Sequence, residues 1–221
     1  MKDESSKTTR VVIVDDHPML RERLALLIEK EPGMVVSGEA DNVQQGLDLI
    51  ESQWPDIAIV DLTLKGSSGL ELIKDLKARA IPTPVLVLSM HDESLYAERA
   101  LRAGALGYIT KQAASEEVLA AIHRVLSGNV YLSRDFTEKI VNQMAGAGLP
   151  AEYSPLHLLA DRELEVFRMI GLGKTTREIA TALGLGLKTV DTYRERIKQK
   201  LNLKNAAELY RKATCWVQEQ G

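Results

Sequence analysis

Five short runs rich in β-branched residues, each followed by a segment with the apolar spacing of a helix, fill the first 127 positions. The runs are Arg10 to Val14, Met34 to Glu39, Ile57 to Asp61, Val85 to Ser89 and Gly107 to Thr110, and each reads as a strand. Between them apolar residues recur at helical intervals, as in Leu20, Leu24, Leu27 and Ile28, or Leu70, Leu72, Ile73 and Leu76. This alternation leaves few topologies, because parallel neighbours need a crossover connection and crossovers are right-handed. The run IAIVD is apolar on both faces and belongs in a sheet covered by helices on each side. The predicted fold of this half is an α/β doubly wound, five-stranded parallel sheet.

In such a sheet the functional crevice lies at the carboxyl ends of the strands. The first strand ends at Asp15 and Asp16, the third at Asp61, the fourth at Ser89, and the fifth is followed by Lys111. Three neighbouring carboxylates repel one another unless a cation neutralises them, and an all-oxygen donor set suits Mg²⁺. With the metal and Lys111 offsetting negative charge, Asp61 is placed to attack a phosphoryl donor and Ser89 to hydrogen-bond the product. Singly, each of these residues has an ordinary structural explanation, an Asp at a strand end being a common turn former or cap. The joint placement carries the reading. His17 and Pro18 read as helix-start residues, with Pro18 in the first turn, and not as a metal ligand and its neighbour. The first strand leads into DDHP instead of a glycine-rich turn, which argues against a dinucleotide site.

The stretches VVIVDDHPMLRERL, IAIVDLTLKGSSGLELI, VLVLSMH and GALGYITK resemble the receiver domain of bacterial response regulators, over about residues 10 to 126. The resemblance implies a flavodoxin-like receiver with Asp61 as phosphoacceptor. It implies that Asp16, Asp61 and the backbone carbonyl of Thr63 bind Mg²⁺ and that Asp15 supports the metal through water. Ser89 and Lys111 would sense the phosphoryl group, and Tyr108 would be an aromatic switch that turns inward as Ser89 moves toward the phosphate. The stretch Asp61-Leu-Thr-Leu-Lys65 lacks the proline frequent in the family, which alters loop stiffness more than chemistry.

Beyond the fifth helix, at about 115–127, Asn129 to Ala145 has room for one more short helix, and AGAGLPAEYSP then breaks all periodicity. The expected organisation is a first domain at 10–127, a partly helical linker at 128–155 and a second domain at 156–221. Four helical segments follow the linker: Asp161 to Ile170, Thr175 to Leu183, Leu187 to Leu201 and Ala206 to Val217. Turns as short as GLGKT and LGLG fit only a compact all-α four-helix domain. GLGKTT is not a nucleotide-binding loop, since the glycine required five positions earlier is Arg168 and a helix precedes it.

The stretch from LADRELEVF to KNAAEL resembles the helix-turn-helix output domain of the LuxR or NarL family. REIATAL and the segment Leu187 to Leu201 form the pair of helices that lays its second member in a major groove. On that helix Val190, Ile197 and Leu201, with Tyr193, form the inward stripe, leaving Lys188, Asp191, Thr192, Glu195 and Lys198 outward. Arg194, Arg196 and Lys200 reach phosphates from the flanks, and Thr175 and Thr189 complete the expected DNA contacts. Asp191 stands where lysine is common in the family, and Glu195 is a second outward acid. Carboxylates repel phosphates but accept from the N4 amino group of cytosine, so a modest affinity and an unusual base preference are expected. Gly186 replaces a frequent serine cap, which predicts weaker capping.

Charge supports this division. From residue 151 onward 12 Lys and Arg stand against 9 Asp and Glu, a net +3, so the overall −3 leaves −6 for the rest. An acidic front half suits cation and phosphate chemistry, and a mildly basic back half suits a polyanion. No apolar run approaches the roughly 20 residues of a membrane span, and MKDESSKTTR reads as a polar lead-in with no apolar core of a signal peptide. A cytoplasmic location is expected. The single Cys215 forms no internal disulfide, and its neighbours Ala213, Trp216 and Val217 suggest a helix-packing role. The expected partners are a sensor histidine kinase, duplex DNA, a second phosphorylated copy of the chain and RNA polymerase, with no membrane. No second catalytic cluster is present to make the chain a turnover enzyme. The alternative is a phosphorylation-gated interaction module whose helical domain binds protein or RNA.

Overall fold

The computed structural model describes residues 8–64, 66–91, 93–144 and 155–219. The lead-in before Thr8, Lys65 and most of the AGAGLPAEYSP stretch lie outside the described residues. Two units are present, Met1–Thr137 and Glu138–Gly221.

The first unit runs β1 (Thr9–Val14), α1 (Pro18–Glu29), β2 (Met34–Ala40), α2 (Val43–Gln53), β3 (Ile57–Val60), β4 (Thr63–Leu64), β5 (Ser67–Ser68), α3 (Gly69–Ala78), β6 (Val85–Ser89), α4 (Glu93–Ala103), β7 (Gly107–Thr110) and α5 (Ser115–Leu126), with α6 (Arg134–Met144) beyond. The five expected strands form one parallel sheet in the order β2-β1-β3-β6-β7. The antiparallel β4–β5 ladder is a feature the apolar pattern does not announce; Gly66, at φ 74°, supplies its turn.

Alternation along the strands sorts the core into two layers. Val11, Ile13, Ile57, Ile59, Leu86, Leu88 and Ile109 pack with Leu24 and Ile28 of α1 and Val118, Ile122 and Val125 of α5. The intervening residues, among them Val12, Val14, Ala58, Val60 and Val87, are equally buried and face the other way. Gly46 lets α2 lie close on that side, since a methyl there would come within 2.9 Å of Val14. The chain after α5 then runs along β7: Tyr131 N donates to Leu106 O at 3.0 Å, and Tyr108 N donates to Tyr131 O at 2.9 Å.

The second unit holds a short 3₁₀ turn (Pro155–Leu158), then α7 (Asp161–Gly171), α8 (Thr176–Ala182), α9 (Leu187–Lys200) and α10 (Ala206–Glu219). The four expected helices are present. Leu164, Phe167, Ile170, Ile179, Val190, Ile197, Leu209 and Ala213 are fully buried and form its core. At Gly171 an added methyl would overlap the Ala213 carbonyl, which is why α7 and α10 can cross there. The packing role expected for Cys215 is corrected: the thiol is exposed. Two residues past buried Ala213, it lies about 200° around the helix, on the opposite face, while Trp216 contacts Phe167 at 5.7 Å between ring centroids. Gly186 is the N-cap of α9 and offers no side-chain cap, as expected. Tyr193 is only half-buried, at the margin of the inward stripe.

Candidate functional site

At the carboxyl edge of the sheet the five residues from the strand ends converge. Lys111, which follows β7, extends its ammonium to 2.6 Å from Asp15 Oδ2 and 2.7 Å from Asp61 Oδ2. All three side chains are almost wholly buried, at 4%, 2% and 2% exposure. The backbone fixes this register: Asp61 N donates to Val14 O at 2.8 Å and Lys111 N to Ser89 O at 2.8 Å, tying the ends of neighbouring strands together. Gly69 lets the start of α3 lie against the Asp61 backbone, since any Cβ there would overlap the Asp61 carbonyl. Ser89 is buried, and its Oγ accepts from the backbone N–H of His91 at 3.2 Å.

Burial pushes the Asp61 carboxyl up to about 6; the Lys111 ammonium opposes that rise and the Asp15 charge adds to it. One ammonium is therefore not enough for the acids around it. Asp61 Oδ1 is buried with no hydrogen-bond partner among the described residues, and buried Asp16 Oδ1 faces the His17 ring nitrogen at 2.8 Å. A buried carboxylate oxygen left bare in a cluster of acids fits a hard divalent cation.

Tyr108 is buried in the inward position, its hydroxyl donating to His91 O at 2.9 Å, and burial raises its phenol well above the ordinary range. Thr63 opens β4 beside Asp61, and its Oγ1 lies 2.9 Å from His91 Nε2.

In the second unit Thr175 caps α8 through a reciprocal box with Glu178: its Oγ1 accepts from Glu178 N at 3.3 Å, and Glu178 Oε2 accepts from Thr175 N at 2.8 Å. These bonds hold the Glu178 carboxyl below its usual range. Lys188, Thr189, Asp191, Thr192, Glu195 and Arg196 are exposed along α9. Thr192 Oγ1 donates to Lys188 O at 2.8 Å. Lys198 is half-buried and pairs with Glu195 at 2.9 Å. Arg194 donates to Thr176 Oγ1 and to the Tyr210 hydroxyl, both at 2.7 Å, and lies over the Tyr210 ring. Lys200 reaches Glu163 Oε2 at 2.6 Å.

Two family models match these two units: the response regulator receiver domain over residues 11–123, and the luxR family of bacterial regulatory proteins over residues 157–213. This chain is a response regulator. It is 38% identical over 201 residues to a Pseudomonas aeruginosa protein assigned as a transcriptional regulator, covering 91% of this chain and 95% of that one. It is 33% identical over 201 residues to the response regulator UvrY of Escherichia coli, covering 90% of each. Its fold matches RcsB of Salmonella enterica serovar Typhimurium, solved bound to promoter rprA in the presence of phosphomimetic BeF₃⁻, with a TM-score of 0.67 and 22% identity over 94% of this chain and 98% of that one. The response regulator thus joins a receiver to a LuxR-type DNA-binding domain, as befits relatives named as transcriptional and response regulators.

Four site residues of this response regulator escape a reading of strand ends. His17, taken as a helix-start residue, is indeed the N-cap of α1, and its Nδ1 also lies 3.1 Å from Asp15 Oδ1 and 2.8 Å from Asp16 Oδ1. Asp15, Asp16, His17 and Asp61 all bring a ligand atom within 4.8 Å of one another. Arg21 donates to the Asp15 carbonyl at 2.6 Å and pairs with Glu39. His91 joins Thr63, Ser89 and Tyr108, and its ring stacks on Tyr96 at 4.4 Å. Glu163, an acid in a helical repeat, is 3% exposed and accepts from Ala160 N as well as from Lys200. The adjacency of His17 to the acidic pair was the one signal available in sequence.

Proposed function

We propose that Asp61 is the phosphoacceptor of this response regulator and that its phosphorylation by a partner sensor histidine kinase controls DNA binding by α9. The observation that carries this is the half-satisfied Asp61 carboxylate: one oxygen held by Lys111, the other buried and without a hydrogen-bond partner among the described residues. A carboxylate oxygen of Asp61 is the nucleophile. It forms a bond to phosphorus as the donor's phosphorus–nitrogen bond breaks, and the imidazole leaves with the electron pair. Asp15, Asp16, Asp61 and the Thr63 carbonyl would hold Mg²⁺, which supplies positive charge against the incoming phosphoryl oxygens. Lys111 remains as the protein's own cation on that charge, and Ser89, at the end of the neighbouring strand, offers its hydroxyl.

The fold supports a route outward. Ser89 Oγ holds the N–H of His91, and the carbonyl of His91 holds Tyr108, so a displacement of Ser89 draws on both. Inward Tyr108 is the position a phosphoryl group would stabilise, through a shift between conformations already in equilibrium. The output is promoter binding by a homodimer, in which two half-sites raise affinity through effective concentration and offset a modestly basic surface. RNA polymerase is the downstream partner at the promoter. The chain works in the cytoplasm as a stoichiometric phosphoacceptor with no turnover substrate; among the described residues no helix is long and apolar enough to cross a membrane.

The test is treatment with acetyl phosphate and Mg²⁺, reading mass, sedimentation and binding to duplex DNA for the wild type and Asp61→Ala. One added phosphate, dimerisation and tighter binding in the wild type alone support the reading. Failure of the wild type to take up phosphate overturns it.

A further inference from the structure

The outward ridge of α9 carries a carboxylate that the bundle does not use. Asp191 is exposed and, among the described residues, makes no hydrogen bond or ion pair. Its charged neighbours are committed elsewhere: Arg194 to Thr176 and Tyr210, Lys200 to Glu163, and Glu195 to Lys198. In the N-terminal half of α9 the free charges are those of Lys188 and Asp191, three residues apart and so side by side on one face. That half of a recognition helix is the part that meets base edges.

A bare carboxylate in a groove walled by phosphates is unfavourable unless it meets a donor. Favourable interaction with the helix dipole does not explain it, because Asp191 is the fifth residue of α9 and the dipole acts on the first turn. The major groove offers amino donors on cytosine N4 and adenine N6, whereas guanine O6 and N7 and thymine O4 are acceptors that would repel a carboxylate. Adenine sets its N7 acceptor beside the amino group, and cytosine does not. We propose that Asp191 is the specificity-determining residue of α9 and accepts from the N4 amino group of a cytosine, with Lys188 beside it donating to guanine acceptors. The proposal rests on α9 entering the major groove and names the base it reads there.

The experiment is selection from a random duplex library by the full chain, treated with acetyl phosphate and Mg²⁺, for the wild type, Asp191→Asn and Asp191→Ala. The wild type is expected to enrich cytosine at one position of each half-site, with roughly 10- to 100-fold discrimination. Asp191→Asn, whose amide both donates and accepts, should move that preference to adenine. Asp191→Ala should lose discrimination at that position while binding unrelated duplex more tightly, because a repulsion has gone; a residue serving only the helix fold would not produce this opposed pair of changes. An unchanged base preference in Asp191→Ala, with duplex binding intact, overturns the inference alone. Failure of the wild type to retain any duplex overturns the DNA-binding reading and this inference with it.

Discussion

Lys111 holds one oxygen of Asp61 at 2.7 Å and leaves the other without a hydrogen-bond partner among the described residues. The folded chain therefore keeps this acid at a cost, and its carboxyl is pushed up to about 6 from an ordinary 3.8. A raised carboxyl means the folded state binds the proton more readily than the unfolded state between those values. Without metal, stability should fall as pH rises from about 4 to 6 and stay at the lower level above that. Asp61→Asn removes the effect and is expected to raise metal-free stability at pH 7 by roughly 1–3 kcal/mol. The gain should vanish below about pH 4, and Mg²⁺ should stabilise the wild type more than the variant. Urea unfolding midpoints across pH, with and without Mg²⁺, check both.

Lys111 also neutralises Asp15, so its loss strands two buried acids at once. Lys111→Met keeps the aliphatic volume and is expected to cost about 3–5 kcal/mol in metal-free protein. Mg²⁺ should restore a larger share of stability in this variant than in the wild type. Denaturant titration over a range of Mg²⁺ concentrations reads the difference.

Two glycines test the two units separately. Gly69→Ala forces a methyl against the Asp61 carbonyl and should displace Asp61, the proposed phosphoacceptor, lowering the rate of phosphate uptake and costing roughly 1–3 kcal/mol. Gly171→Ala forces a methyl against the Ala213 carbonyl and should lower the stability of the helical unit by a similar amount while leaving phosphate uptake unchanged. Thermal unfolding combined with phosphorylation kinetics separates them.

Glu163 serves the start of α7 and the end of α9 together, accepting from Ala160 N at 2.8 Å and from Lys200 at 2.6 Å. Glu163→Ala removes the acceptor of the Ala160 N–H at the start of α7 and should destabilise the second unit by about 1 kcal/mol. Glu163→Gln should recover the cap but not the ion pair, whose Lys200 end is partly solvated and so contributes less. Circular dichroism melts of the full chain rank the two variants.

The fold was legible because period and position coincide. β-Branched runs fix the strands, crossovers fix their direction, and strand ends then gather Asp15, Asp16, Asp61, Ser89 and Lys111 without further information. What was hidden depends on partners distant in sequence. Arg194 meets Thr176 and Tyr210, 18 and 16 residues away, and Lys200 meets Glu163, 37 away; spacing on one helix cannot reveal that a charge is held within the bundle. The Thr63 to His91 contact joins segments that follow different strands of the parallel sheet, where no period links them. Cys215 was misjudged from neighbours in sequence, since residues two apart on a helix face nearly opposite ways.

The segment after α5 covers the outer edge of β7, the last strand of the sheet. A strand at the rim of a sheet is a template for a foreign chain, and proteins blunt such rims by covering them. Tyr131 takes the outward amide of Tyr108 and the outward carbonyl of Leu106. A second molecule therefore cannot lengthen the sheet past β7 at these residues without first peeling this cover away, so self-association by strand addition is blocked beside Tyr108.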